Sequence, residues 1–380
     1  MNSDLLDDIE PFYVMEILEE AQRYEKKGID VSHLEIGEPT RKTNKLIKQY
    51  AKKAISNNYD RYSHSLGIQP LREAIVNKYK KEMDVAISED QVIITTGSSG
   101  AIMLGLITSI DEGDEVLLIE PYYPCYPQLV KIFGGRIKLF TTHPEENFQI
   151  NIKKLKKAIT KKTKLIIINS PSNPTGVTQT SEVLKSIGEL GIKVISDEVY
   201  QGLNYERPPE TMLKYKPDSL VVNGFSKFYS MTGWRLGYLI APKTIIRNAQ
   251  KLQQNMFICA PTISQHSALG ALNINQEEIE KMKREYIRNK DLLLNELQHI
   301  GLNLNYKPDS AFYVLCDMGR ICQDSLELSR DILRKVHLGV APGKDFGPNY
   351  NRHIRLSYAS SITNLKNGLA KLKKYIYQYT

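Results

Sequence analysis

No apolar run in the 380 residues approaches the roughly 20 needed to span a bilayer, so no membrane-spanning role is expected. The opening Met1-Asn2-Ser3-Asp4 is acidic and lacks the apolar core of a secretory signal, and a cytoplasmic location is expected. Cysteine is scarce. Cys125, Cys259, Cys316 and Cys322 are scattered, with no CxxC pair and no histidine at zinc spacing, so free thiols are expected and a metal site is not. Low-complexity linkers and internal repeats are absent. Acidic residues are the minority, leaving a net charge of +8. The lysines, however, fall in dispersed pairs such as Lys52-Lys53, Lys80-Lys81, Lys156-Lys157 and Lys373-Lys374, which read as solvated helix faces. No aromatic-interleaved basic patch appears, so nucleic acid is not an expected partner.

The chain is long enough for about two domains of roughly 100–200 residues each. Its 41% hydrophobic and 25% charged residues are normal for a soluble globular enzyme. Short apolar runs at Val92–Thr95, Glu115–Ile119, Arg136–Phe140, Leu165–Asn169, Lys193–Ser196, Leu220–Asn223 and Leu236–Ile240 read as strands. Between them, Ala101–Ile110, Tyr126–Phe133, Ile152–Ile159 and Glu182–Leu190 repeat apolar residues at spacings of three and four, as amphipathic helices do. This alternation predicts an α/β fold, with a mainly parallel sheet covered on both faces and ligands bound beyond the carboxyl ends of its strands. Glu16–Lys26 and Leu46–Ser56 read as helices before this region, and Lys243–Asn273 and Gln276–Leu297 as long helical stretches after it. A smaller mixed region follows, with strands near Ala311–Cys316 and Arg352–Ser357 and helices near Ser325–His337 and Ile362–Gln378.

Several residues past strand ends carry chemistry. Lys227 lies in Ser226-Lys227-Phe228-Tyr229-Ser230-Met231-Thr232-Gly233-Trp234-Arg235, a lysine set beside an arginine that can hold an anion. A desolvated lysine becomes a neutral nucleophile that forms a Schiff base with a carbonyl. Asp197, in Ser196-Asp197-Glu198-Val199-Tyr200, is either a helix N-cap or a carboxylate paired with a ring nitrogen; Tyr200, three residues on, would share its side of a helical turn. Asn173 sits in Ser170-Pro171-Ser172-Asn173-Pro174-Thr175-Gly176, which reads as a turn and also as a rigid mount for an amide. Gly97-Ser98-Ser99-Gly100-Ala101 joins a strand to a helix, and there exposed backbone N–H groups can cradle a phosphate; an ordinary turn is the alternative. Arg355 stands among apolar residues in His353-Ile354-Arg355-Leu356-Ser357, where an unpaired charge is costly. It reads as a bidentate carboxylate clamp or as half of an internal salt bridge.

These segments, in this order from about Pro11 to the C-terminus, resemble the class I/II aminotransferases, pyridoxal-phosphate enzymes of fold type I, and are aspartate-aminotransferase-like. The resemblance implies a three-layer αβα large domain over 41–285 and a smaller α+β domain over 286–380. It also implies an N-terminal arm over 1–40 packing on the smaller domain. It implies pyridoxal 5'-phosphate as cofactor, with Lys227 as its covalent anchor, Asp197 on the ring nitrogen, and Tyr200 and Asn173 on the ring oxygen. Tyr123, rather than Tyr122, would stack on the ring. Ser98, Ser99, Gly100, Ser226 and Arg235 would hold the phosphate. Gly37, in Leu34-Glu35-Ile36-Gly37-Glu38-Pro39, would approach the substrate carboxylate that Arg355 and Asn173 grip. Tyr62 would reach the phosphate of a partner subunit, making the active unit a homodimer. Where the family often continues Asp-Phe-x-Thr-Pro after this glycine segment, the chain reads Thr40-Arg41-Lys42-Thr43-Asn44, which leaves the side-chain pocket open.

The activity implied is transfer of an amino group between an L-amino acid and a 2-oxo acid by a ping-pong scheme, with Lys227, Asp197 and Tyr200 catalytic. A carbon–sulfur β-lyase on the same site is the first alternative, and a non-catalytic regulator, for which no DNA-binding segment is present, the second. A dicarboxylic substrate would need a further cation, for which Arg41, Lys42 and His64 stand in suitable loops. An apolar substrate would need a pocket that Phe12, Tyr13 and Ile36 could line.

Overall fold

A computed structural model describes residues 6–379, so the acidic opening Met1-Asn2-Ser3-Asp4 lies outside the described residues. In chain order the strands are β1 (Ser32–His33), β2 (Val92–Thr96), β3 (Glu115–Glu120), β4 (Arg136–Thr141), β5 (Thr163–Asn169), β6 (Lys193–Asp197), β7 (Leu220–Gly224) and β8 (Leu236–Ile240), followed by β9 (Tyr313–Asp317), β10 (Leu338–Gly339), β11 (Ala341–Pro342) and β12 (His353–Ser357). The helices that matter most are α1 (Tyr13–Glu25), α2 (Lys45–Ser56), α3 (Gln69–Met83), α4 (Gly97–Ile107), α5 (Cys125–Ile132), α6 (Ile152–Ala158), α7 (Ser181–Gly188), α8 (Lys243–Met256), α9 (Thr262–Leu272), α10 (Gln276–His299), α11 (Ser325–Val336) and α12 (Ile362–Ile376).

Strands β2 to β8 form a seven-stranded sheet in the order β2-β8-β7-β6-β5-β3-β4. It is mainly parallel; β8 runs antiparallel to both β2 and β7. Alternate side chains feed two separate cores. Ile93, Leu118, Ile167 and Ile195 pack with α4, α5 and α8 on one face, while Ile94, Leu117, Ile166 and Val194 pack with α3, α6, α7 and α9 on the other. A strand buried on both faces must be apolar at every position, and for this reason Leu165-Ile166-Ile167-Ile168 shows no alternation. Each such side chain contributes about 1.5–3 kcal/mol when fully buried. The result is a three-layer αβα unit.

A third core gathers α10, α11 and α12 around the antiparallel sheet β11-β12-β9. Helix α1 lies against this part: Ile17 and Ala21 pack with Leu326 and Leu333 of α11, and Arg330 reaches both Glu16 and Glu20. Strand β1 pairs with β10, so the chain leaves α1 along the same small unit.

The predicted strands agree with those observed to within two residues at each end. Three helical regions differ. The stretch Lys243–Asn273 divides into α8 and α9, because Pro261 cannot continue a helix and Ile258 takes a left-handed backbone with φ 64°. Helix α3 was not anticipated; its apolar residues Leu71, Ile75, Tyr79 and Met83 repeat every four positions under a mostly polar composition. Helix α4 begins at Gly97, four residues before the predicted Ala101, and is buried on most sides instead of being amphipathic.

Candidate active site

The carboxyl ends of β5, β6 and β7 open into a cavity of about 250 Å³, which α1, the turn at Ile36–Glu38 and the small sheet close from the other side. Lys227, Asp197, Tyr200, Asn173, Tyr123, Ser98, Ser99, Ser226, Arg235, Gly37 and Arg355 all line it. Gly100 lies deeper in the first turn of α4, against Thr95, and does not line it. Tyr62 is outside it and 80% exposed.

Lys227 follows β7. Its Nζ donates a 2.6 Å hydrogen bond to the backbone oxygen of Gly37. Burial pushes the amine down to about 8, aided by the charges of Arg355 and Arg235 and opposed by Glu38 and Asp197. A substantial neutral, nucleophilic fraction therefore exists near neutral pH.

Asp197 ends β6. The strand's alternation turns it to the cavity and turns its neighbour Glu198 away, into a net formed by Ser196, Thr211 and the Met212 N–H. The Tyr126 hydroxyl donates to Asp197 Oδ2 at 2.6 Å and the Val199 N–H to Oδ1 at 3.1 Å. Burial pushes the Asp197 carboxyl up to about 6, while these donors and the Lys227 charge favour its ionised form. A hydrogen-bonded turn, and not a helix, follows it, so the N-cap reading does not hold. That turn brings Tyr200 to the cavity, where its hydroxyl meets that of Tyr313 at 2.9 Å.

At the opposite end, α4 starts directly after β2. The first-turn N–H groups of a helix have no intrahelical acceptor, and those of Ser98 and Ser99 stand at the cavity wall with the positive end of the helix dipole. Arg235 covers this terminus so closely that a Cβ on Gly97 would lie 2.8 Å from its Nη2. Gly97 also has φ +72°, which favours glycine. Two serine hydroxyl-bearing residues, a helix N-terminus, Ser226 and a guanidinium make a set of donors suited to a phosphate dianion.

Arg355 sits mid-strand in β12 and is 2% exposed. Its Nη1 donates to Asn173 Oδ1 at 3.0 Å, its Nη2 to the backbone oxygen of Glu35, and its buried Nε has no partner. The guanidinium carbon stands 4.5 Å from the ring centre of Tyr313 and 5.2 Å from that of Phe346. Among the described residues no carboxylate forms an ion pair with it, so the internal salt bridge is not what holds it. A Cβ on Gly37 would collide with the Tyr313 hydroxyl, so a larger residue there would have to displace that buried ring.

Local motifs did not reveal Tyr126, Tyr313, Asn169, Glu38, Thr232 or the α1 residues Val14, Met15 and Leu18, which also shape this site. Tyr126 stands one helical turn after Tyr123, a spacing that could have pointed to it. Nothing near Tyr313 in the chain does so.

Fold and site together define an α/β enzyme with a half-buried lysine, a buried carboxylate and an anion cradle around one cavity. The chain belongs to the family described as aminotransferase class I and II, which matches residues 29–372. It is an aminotransferase of fold type I, and thus a transferase. It is 39% identical to a (5-formylfuran-3-yl)methyl phosphate transaminase of Methanocaldococcus jannaschii, over 99% of this chain and 100% of that protein. It is 33% identical to the aspartate/prephenate aminotransferase of Thermus thermophilus, over 96% of each. The structure of Thermus thermophilus aspartate aminotransferase with maleate superposes with a TM-score of 0.93 at 33% identity, covering 98% of this chain and 99% of that one. Among the described residues no helix is long and apolar enough to cross a membrane.

Proposed function

We propose that this chain uses pyridoxal 5'-phosphate to move an amino group between an L-amino acid and a 2-oxo acid. Arg355 carries the reading: a buried guanidinium without a carboxylate partner among the described residues shares a cavity with a half-buried lysine whose amine is pushed down to about 8. A charge kept in that state needs an anion to arrive.

The donors present fit the cofactor. Ser98, Ser99, Ser226 and Arg235 would hold its phosphate, with Gly100 shaping the turn of α4. Asp197, supported by Tyr126, would hold its ring nitrogen, Tyr200 and Asn173 its ring oxygen, and Tyr123 its face. When bound, the cofactor supplies an electron sink for the substrate's α-carbon and a carbonyl carbon that accepts the amino group. The chain's own residues do the rest. Arg355 and Asn173 orient the substrate carboxylate. The neutral Lys227 amine is the base for the α-proton, and its protonated form is the acid that returns it. Burial of Tyr200 and Asp197 excludes water from that side of the site and strengthens each of these contacts.

The active unit in this reading is a homodimer with Tyr62 reaching the neighbouring phosphate site. In support, Tyr62 is exposed beside other exposed apolar side chains, Tyr59 and Met256 to Ile258, on adjoining loops tied by a Thr262–Arg61 hydrogen bond. The four free thiols suit a reducing cytoplasm. The decisive experiment follows transfer of the amino group from a panel of L-amino acids to a 2-oxo acid by wild type and Lys227→Ala. Transamination by the wild type and none by the variant is expected; equal rates would overturn the scheme. Release of pyruvate and thiol from cystathionine without an acceptor would indicate the lyase instead.

A further inference from the structure

The relatives differ in the substrates their names give, so the donor must be read from this chain's own cavity. Three cations line it, Lys227, Arg235 and Arg355, and under the proposed function each already has a task. The other cations that the loops offered are elsewhere. Arg41 pairs with Glu285 at 3.2 Å, Lys42 lines a separate hollow with Arg41, and His64 Nδ1 accepts the Leu66 N–H at 3.2 Å. A carboxylate does face the cavity: Glu38, hydrogen-bonded by the Thr232 hydroxyl. Among the described residues of one subunit, a second carboxylate on a substrate would find no cation beyond these three and, besides Asp197, would meet the like charge of Glu38.

The remaining wall is apolar. Phe12, Val14, Met15 and Leu18 of the α1 segment face the cavity together with Ile36, and Phe12 meets Tyr123 edge-on at 6.0 Å. Met15 is 48% exposed, so this wall has surface left to cover. Tyr13, which the sequence also offered, does not line it and instead packs under Lys344 Nζ at 4.7 Å. The wall is set by a contact 331 residues away. Asp345 accepts the Val14 N–H at 2.9 Å through Oδ2 and the Tyr13 N–H at 3.0 Å through Oδ1, and so caps α1 from outside its own chain segment. No side chain of α1's own cap residue, Phe12, does this.

We infer that the site prefers amino donors with a bulky apolar side chain over dicarboxylic donors, and that Asp345 is the positioning residue that fixes the apolar wall. This rests on the aminotransferase reading. The test is the half-reaction of the cofactor-loaded protein with single donors, which needs no acceptor. Phenylalanine and leucine should exceed aspartate and glutamate in kcat/KM by tenfold or more. Asp345→Ala should raise KM for phenylalanine by a larger factor than for alanine, and Asp345→Asn should recover part of the loss. Met15→Lys, on an exposed position that tolerates change, should narrow the gap between apolar and dicarboxylic donors. Aspartate or glutamate matching the apolar donors would overturn the inference, as would equal effects of Asp345→Ala on both donor sizes. If no donor reacts, the aminotransferase reading fails by itself. Calorimetric binding of 3-phenylpropanoate against succinate then still decides the pocket: tighter 3-phenylpropanoate supports it and tighter succinate overturns it.

Discussion

The Lys227 Nζ reaches the backbone oxygen of Gly37 at 2.6 Å, across 190 positions of chain. One hydrogen bond thus joins the end of the large sheet to the turn that follows β1. It also fixes the amine where partial burial pushes it down to about 8. The neutral form alone attacks a carbonyl. Uptake of pyridoxal phosphate by cofactor-free protein should therefore accelerate as pH rises and level off above about 8. Stopped-flow absorbance between pH 6 and 10 measures this; a rate still climbing toward 10.5 would show an ordinary solvated lysine.

Tyr126 should matter as much as several residues of the motifs. Its hydroxyl is the side-chain donor to Asp197 Oδ2, and a hydrogen bond to a charged group is worth about 1.5–3 kcal/mol. Without it, burial acts on the carboxyl with less opposition. Tyr126→Phe should move the acidic limb of the rate profile to higher pH and lower kcat by roughly 10–100-fold at neutral pH. An unchanged acidic limb would show that Tyr126 merely packs.

Local sequence revealed the parts of the site that a short segment can carry. Asn173, Asp197 with Tyr200, and Ser226 with Lys227 each follow a strand whose apolar run is visible, and a parallel sheet necessarily brings such ends together. The strand ends were legible for the same reason. Tyr313 was not, because its meeting with Tyr200 depends on how the small sheet docks, a contact across 113 positions with no local signal. Asp345 was invisible in the same way: an aspartate in Gly343-Lys344-Asp345-Phe346 reads as a turn residue until α1 is placed beside it. Tertiary docking also decided which loop cations reach the cavity, and it left out Arg41, Lys42 and His64.

Arg355 should tolerate lysine poorly. The planar guanidinium divides its donors between Asn173 and the Glu35 oxygen while lying between the rings of Tyr313 and Phe346. An ammonium keeps the charge but neither the fork nor the stacking. Arg355→Lys should raise KM for amino acids and 2-oxo acids alike by about 10–100-fold, the range of one lost charge-assisted hydrogen bond. Steady-state kinetics with two donors and two acceptors would check it; a KM change confined to one substrate would remove the shared carboxylate role.

The backbone oxygen that receives Arg355 belongs to Glu35, whose own side chain is fully buried and bonded to His33 Nδ1 at 2.6 Å; His33 Nε2 reaches Glu25 of α1 at 3.2 Å. The Glu35 hydrogen bond is the main cause that raises His33 to about 9, against the desolvation that lowers it, with Glu25 adding to the rise. In an unfolded chain the imidazole titrates near 6.5. Because the folded value is the higher one, the protonated pair stabilises the fold fully below about 6.5. That contribution declines as pH rises and is gone above about 9. Wild type should therefore exceed His33→Gln in urea midpoint at pH 6, and the gap should shrink steadily to pH 10. A gap of constant size across that range would mean that the histidine acts through packing and not through its charge.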